Sequence, residues 1–363
     1  MRRDLIFIGS KIALNEPYER YILRTVKLHL EKIDSIRYFE EGDKNLFLHL
    51  ENLLNEKTKL IIITTKNTFT IVGKLLSTTT GDNQILKNDM LIPSRATKIA
   101  PDSYLLEHDG SLINVIQTQE GTTLGKILIN DENNNSTIHI FNEDLATSQA
   151  LLEPLAQMFD VKLELCELCS GWVKINIITK KHSNLSQFIA SAKALLHHKV
   201  INSENIALYI IDKLSNANKK ISFAESCSGG LLSYFFTSQS GASTIFDGSL
   251  ITYSNTIKAN WLAVDENTLN SFGAVSSQTV EEMSEGAMGV SGADFSLAIS
   301  GIAGPTGEVD GKPVGTVYIA VKTQETTKSL RLNFDGDRNY IQEQSVLMAI
   351  KMLLDMDKEL FFS

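Results

Sequence analysis

Residues 221–236 switch from strand spacing to a glycine-closed turn and then to helix spacing, and this switch constrains the fold more than any other stretch. After Lys219-Lys220, the apolar Ile221 and Phe223 alternate with Ser222, a strand pattern that stops at Glu225 or Ser226. The polar run Cys227-Ser228-Gly229-Gly230 closes it, and Leu231-Leu232-Ser233-Tyr234-Phe235-Phe236 resumes as a helix. Paired glycines let the backbone approach a ligand without a Cβ clash, and the first turn of a helix leaves several amides without partners. Such a turn suits an anion or an oxyanion. Two glycines also serve a plain strand-to-helix connection, so the turn by itself leaves both uses open.

The 363 residues suffice for two or three domains with a sizeable core. A formal charge of -9 offers no basic footprint for a phosphate backbone, so nucleic acid is not an expected partner. Behind Arg2-Arg3 the apolar stretch from Leu5 to Gly9 is too short for a signal peptide, and no run approaches the roughly 20 residues of a membrane span. A cytoplasmic protein without a membrane partner is expected. The three cysteines, at 166, 169 and 227, exclude a disulfide framework. Cys166-Glu167-Leu168-Cys169 has the spacing of redox and zinc motifs, yet no second pair completes a zinc site and the run continues the strand pattern Val161 to Leu165. The two read as small apolar strand residues, and neither a metal nor another cofactor is expected.

Along the chain, Leu5-Ile6-Phe7-Ile8, the helical spacing of Pro17 to Leu30, a helix from Leu46 to Leu54 and the strand Leu60 to Thr65 alternate in the α/β manner. The ends of those strands carry Ser10-Lys11 and Lys66-Asn67-Thr68, with little of the glycine that phosphate cradling needs. Short strands between turns fill 85 to 130. The polar run Asp131-Glu132-Asn133-Asn134-Asn135-Ser136 reads as a linker. Beyond it, strand Thr137–Phe141, helix Leu145–Phe159, strands Val161–Leu165 and Trp172–Thr179, and helix Leu185–His198 make a small middle domain. The expected domains are therefore 1–130, 137–200 and 201–363. Of the 22 glycines, 14 lie after 201, where sites are more readily built. There a helix is expected over Ser203–Asn216, a helix start at Ser243, a strand over Ser249–Tyr253, a helix capped at Ser254 or Asn255 that contains Lys258, and another capped at Ser276 or Ser277. Strands over Phe295–Ser300, Val314–Lys322 and Ser329–Phe334 and a helix over Asp337–Leu354 complete the chain.

All seven histidines lie before residue 201, at 29, 49, 108, 139, 182, 197 and 198, so a serine–histidine–acid arrangement inside the last domain is impossible. If Ser226 is a nucleophile, a lysine is the natural proton acceptor. Lys258 falls in the first turn of its helix, where the dipole disfavours an ammonium, and burial would lower its pKa further. Tyr253 could orient that amine or relay a proton. Each residue also has a plainer reading: Lys258 as a solvated helix lysine, Ser226 as a cap, Tyr253 as a strand residue with its hydroxyl at the rim, Cys227 as a buried small residue. Glu225 reads as a binder of a hydroxyl or of a backbone amide.

Ala224-Glu225-Ser226-Cys227-Ser228-Gly229-Gly230, Thr252-Tyr253-Ser254-Asn255 with Lys258, Gly273-Ala274-Val275-Ser276, Ser300-Gly301-Ile302-Ala303-Gly304-Pro305, Lys312-Pro313-Val314-Gly315-Thr316-Val317 and Gly336-Asp337-Arg338 together resemble the C-terminal domain of the CinA family, the nicotinamide-nucleotide amidohydrolases. The resemblance covers nearly all of 201–363. It implies a three-layer αβα amidase domain, deamidation of nicotinamide mononucleotide to nicotinate mononucleotide and ammonia, and a homodimer. Ser226 would be the nucleophile, Lys258 the general base and Tyr253 its helper. Glu225, Ser228, Gly229, Gly230, Ser243, Asn255, Gly301, Gly304 and Arg338 would bind the nucleotide substrate, its phosphate resting on amides near Ser228 to Gly230 or Gly304, with Arg338 as charge-assisted partner. Ser228 stands where the family usually has threonine, which keeps the hydroxyl.

Full-length members also resemble a molybdopterin-binding α/β domain joined by a small KH-like α+β domain to the amidase, and some are similar to ADP-ribose pyrophosphatases. Here Thr64-Thr65-Lys66-Asn67-Thr68 replaces a glycine-rich loop, so the first domain reads as a degenerate version and no metal ligand is assigned. The middle segment lacks the Gly-x-x-Gly loop of an RNA-binding KH fold. Three functions thus stand side by side: a serine–lysine amidase, a nucleotide-binding module with vestigial catalysis, and an N-terminal pyrophosphatase that lacks its acidic, glycine-rich site.

Overall fold

A computed structural model describes residues 1–30, 32–131, 136–180 and 182–363. The expected linker over 131–136 falls largely on 132–135, which lie outside the described residues. The fold is α/β, in two compact units, Met1–Asn133 and Asn134–Ser363.

In the first unit, Arg2–Ile8 pairs in parallel with Ser35–Phe39 on one side and Thr58–Thr64 on the other. Ser111–Gln117 continues the parallel set, and Ser103–His108 and Ala96–Ala100 complete a six-stranded sheet in antiparallel fashion. Leu5 and Phe7 face one helix layer with Tyr18, Ile22 and Val26, while Ile6 and Ile8 face the other with Leu46, Leu50 and Phe69. Burial on both faces explains why these strands read as continuous apolar runs. The edge strand Ser35–Phe39 escapes a sequence reading because Ile36, Arg37 and Tyr38 are exposed in a row, which breaks the alternation of a half-buried strand.

The second unit begins with a four-stranded antiparallel sheet in the order Val161–Cys169, Trp172–Thr179, Ser136–Phe141, Val200–Asn202, covered by helices Leu145–Met158 and Leu185–Leu195. This sheet shares its core with the segment from Ile206 to the C-terminus. Phe141 and Trp172 join Ile210, Phe361 and Leu353 in one cluster, and Gln344 Nε2 donates to the Leu168 carbonyl at 2.9 Å. Cys169 is buried there, whereas Cys166 turns to solvent rather than inward.

The glycine-rich segment forms a five-stranded sheet in the order Phe246–Ile251, Ile221–Glu225, Phe295–Gly301, Thr316–Thr323, Thr327–Asn333. The first three strands are parallel and the last two antiparallel to their neighbours. Phe223 packs into a layer with Leu232, Phe236 and Ile350, while its neighbour Ala224 faces Leu262, Val280 and Met283. From Ile221–Glu225 the chain goes out to Phe246–Ile251 on one side and then crosses to Phe295–Gly301 on the other. The carboxyl end of Ile221–Glu225 is therefore a topological switch point, where open α/β sheets form their ligand crevice. Among the described residues no helix is long and apolar enough to cross a membrane.

Candidate active site

The strand Ile221–Glu225 is buried along its whole length, and Ser226 extends its pairing by donating its amide to the Ile299 carbonyl at 2.9 Å. The chain then turns back on itself: the Gly229 amide donates to the Ser226 carbonyl at 3.1 Å, and Gly229 and Gly230 adopt φ of 60° and 100°. Those angles belong to the left-handed region that glycine enters without a Cβ penalty. The turn leaves the Ser226 side chain at the head of the sheet, 8% exposed.

Lys258 arrives from the other neighbour. After Phe246–Ile251 the chain starts the helix Asn255–Leu262, capped by Ser254, whose Oγ accepts the Ile257 amide at 3.3 Å. Lys258 and Leu262, four residues apart, face inward. The Lys258 side chain is fully buried, and its Nζ donates to the Thr252 carbonyl at 2.7 Å and approaches the Tyr253 carbonyl at 3.4 Å. Ser226 Oγ lies 2.9 Å from the same nitrogen. None of the ion pairs among the described residues involves Lys258. Desolvation pushes its pKa down to about 8. With two carbonyls taking N–H groups, a neutral amine turns its lone pair to the Ser226 hydroxyl, the arrangement a general base requires.

The carboxylate of Glu225 is fully buried and turns under the helix Leu231–Thr237, where it accepts from Ser228 Oγ at 2.8 Å and from the amides of Gly230, Leu232 and Ser233 at 3.0, 3.1 and 2.9 Å. The Gly230 amide, expected to cradle phosphate, is thus already occupied, and so is that of Gly229. The amides of Cys227 and Ser228 donate to no other residue's acceptor among the described residues. Burial pushes the Cys227 thiol up to about 12, which leaves it protonated and unreactive.

The expected helper Tyr253 is 63% exposed, and its hydroxyl accepts from Arg338 Nη2 at 3.0 Å instead of meeting the amine; its backbone carbonyl faces Lys258. Arg338 Nη1 also donates to the Gly304 carbonyl at 2.8 Å, so guanidinium, tyrosine and glycine loop form one rim. Gly304 is left-handed at φ 75° with Val314 against it, and a Cβ on Gly301 would lie 2.9 Å from the Thr316 carbonyl, so both glycines serve close packing of the loop. Asn255 is exposed and lines a cleft of about 200 Å³ with Asn260, Glu266 and Asn270.

Ser243 does not join these residues. It sits exposed in the 3-10 turn Ala242–Thr244, led in by Gly241 at φ 88°, just before the amino end of Phe246–Ile251. In a parallel pairing that is the opposite edge of the sheet from Ser226, so its expected roles as helix cap and substrate contact both give way to a loop position. Two participants carry no sequence signal: Thr252, whose carbonyl anchors the amine, and Gln342, whose Nε2 donates to the Cys227 carbonyl at 2.6 Å. Backbone contacts of this kind leave no trace in residue type. Among the described residues no group of three or more His, Cys, Asp or Glu could hold a metal ion.

The family model for the CinA C-terminal domain matches residues 203–356, the segment that carries every contact around Ser226 and Lys258. The chain belongs to the CinA family. A competence-damage inducible protein of Caldicellulosiruptor saccharolyticus is 40% identical over 189 residues, 50% of this chain and 46% of that protein. A CinA-like protein of Thermotoga maritima is 43% identical over 153 residues, 42% of this chain and 37% of that protein. The alignments thus span less than half the length of these curated CinA relatives. Among solved structures, competence/damage inducible protein CihA from Agrobacterium tumefaciens is 37% identical over 42% of this chain and 93% of that one, with a TM-score of 0.41.

Proposed function

We propose that the CinA domain of this chain hydrolyses a carboxamide through a serine acyl-enzyme, with nicotinamide mononucleotide as substrate. One observation carries the reading: a serine hydroxyl at the switch point lies 2.9 Å from a buried lysine amine that has no carboxylate partner among the described ion pairs. A structural lysine gains nothing from that placement, since burying an amine without a counter-charge costs free energy.

In the proposed reaction, Ser226 Oγ attacks the carboxamide carbon while Lys258 Nζ takes the hydroxyl proton. The oxyanion is held by the amides of Cys227 and Ser228. The ammonium of Lys258 returns its proton to the departing nitrogen, ammonia leaves, and an ester to Ser226 remains. Water, deprotonated by the same amine, attacks the ester; the acid departs and Ser226 regains its proton. Arg338, oriented by Tyr253 and the Gly304 carbonyl, offers a cation to the nucleotide's phosphate. The nucleotide identity rests on the resemblance of the motif blocks. The test is ammonia release from nicotinamide mononucleotide, with Ser226→Ala and Lys258→Ala alongside. Losses of about 1,000-fold or more in both, with cooperative unfolding retained, support the reading; undiminished turnover in Ser226→Ala refutes the nucleophile. Binding without turnover in the wild type favours a nucleotide-binding module.

A further inference from the structure

We propose that Glu225 is a positioning residue that fixes the nucleophile turn and reserves its oxyanion donors, rather than a substrate contact; the proposal rests on the serine–lysine reading of the same site. Glu225 is the last strand residue before Ser226, and its carboxylate ties the strand end to the middle and far end of the 226–230 turn. One oxygen accepts from Ser228 Oγ at 2.8 Å, from the Gly230 amide at 3.0 Å and from the Leu232 amide at 3.1 Å. The other accepts from the Ser233 amide at 2.9 Å, from the Ser233 hydroxyl and, at 3.5 Å, from the Ser249 hydroxyl on the neighbouring strand. The group is 0% exposed, so no face of it remains for a ligand.

This saturation acts in two ways. A buried carboxylate with six donors is rigid, because releasing any one of them leaves an unpaired polar group out of reach of water. Rigidity of the Ser226–Gly230 turn is what holds the serine hydroxyl on the amine, and sub-ångström placement of reacting atoms governs rate. The carboxylate also takes the Leu232 and Ser233 amides, while the Leu231 amide goes to the Ser228 carbonyl, so a substrate anion has no place at the start of the Leu231–Thr237 helix. Among the described residues, the Cys227 and Ser228 amides, beside the nucleophile, are left donating to no other residue's acceptor.

The conservative substitution is itself diagnostic. Glu225→Gln keeps the shape but turns an NH2 group toward N–H or O–H donors, since both carboxylate oxygens are acceptors. The experiment uses the full chain and two readouts: steady-state ammonia release from nicotinamide mononucleotide, and the rate at which a fluorophosphonate phosphonylates Ser226, located by peptide mass spectrometry. In Glu225→Gln, assayed well below its unfolding transition, kcat is expected to fall about 100-fold with KM within about threefold, and phosphonylation to slow in parallel. A folded variant with kcat within threefold of wild type, or a loss carried by KM, overturns the proposal. Should Glu225→Gln not fold, the Ser228→Ala, Ser233→Ala double variant strips two hydroxyl donors and keeps the carboxylate. A kcat loss of about tenfold at unchanged KM is then expected, and wild-type kcat overturns the proposal. Wild type that is phosphonylated at Ser226 yet releases no ammonia refutes only the substrate, leaving the positioning role to be read from the probe. Wild type that is not phosphonylated there overturns both.

Discussion

Gly286 meets the carbonyl of Leu262 with no space between for a side chain: a Cβ at 286 would lie 2.1 Å from the Leu262 oxygen. Leu262 is the last residue of the helix that carries Lys258, and Gly286 belongs to the helix Ser277–Ser291 beneath it. Gly286→Ala improves helix propensity by about 1 kcal/mol, yet it must push the two helices apart at a cost of about 1–3 kcal/mol. Thermal unfolding is expected at lower temperature, with ammonia release reduced by about tenfold or more because the amine moves with its helix. Unchanged turnover in a destabilised variant would show that the Lys258 helix does not need this seat.

The pH dependence of turnover should track the amine. Lys258 must be neutral to accept the Ser226 proton, and its pKa is lowered to about 8 by burial. The rate constant kcat/KM is therefore expected to rise with pH through a single ionisation centred near 8. A midpoint near 6.5, the ordinary range of histidine, would point to a base other than Lys258.

Removing the proposed base should stabilise the fold while ending catalysis. The unfolded chain holds the Lys258 proton up to about 10.5 and the folded chain only up to about 8. Between those values the unfolded state binds more protons, so stability rises with pH across 8 to 10.5, and below 8 the full penalty remains. Lys258→Met removes a penalty of roughly 2–3 kcal/mol at pH 7, offset by about 1 kcal/mol for the Thr252 carbonyl that loses its donor. A net gain of about 1–2 kcal/mol in chemical denaturation at pH 7, shrinking toward pH 10.5, is the expected outcome; a loss at pH 7 contradicts it.

Acid sensitivity is expected from His139. The ring is buried, with Trp172 Nε1 donating to its Nδ1 at 2.9 Å; desolvation first and the charge of Lys174 second push its pKa down to about 4. The unfolded chain protonates this ring near 6.5, so stability is full above that value and falls as pH drops from 6.5 to 4, by up to roughly 3 kcal/mol. His139→Asn keeps an acceptor for the indole and cannot charge. The difference in urea midpoint between pH 7 and pH 4.5 should be smaller in this variant than in wild type.

How far the residues themselves foretell this arrangement varies from place to place. The positions of Ser226 and Lys258 are legible because local rules set each one: alternation ends the strand at Glu225, Ser254 caps the next helix, and the lack of histidine singles out an amine as the candidate base. Ser243 misleads because a small, polar, glycine-led run reads alike at either end of a strand. The helix Glu266–Phe272 escapes a sequence reading since only Leu269 on it is buried, too little for a period to register. The destination of the Glu225 carboxylate, the Thr252 carbonyl and the Gln342 side chain depends on how helices pack across the sheet, which sequence spacing does not encode. Nor does it encode the Leu262 carbonyl against Gly286.

The segregation of every histidine outside 201–363 gives acidification two tempos. Protonation of the Lys258 amine, which meets solvent through the 8%-exposed Ser226 hydroxyl bonded to it, is a local event that silences the dyad and reverses as the pH is raised again toward 8. Proton uptake at His139 must instead wait for its sheet to open, so damage accumulates with the length of exposure. A short acid pulse would thus leave a dormant protein that regains its activity when the starting pH is restored, while a sustained one would let the sheet around His139 open.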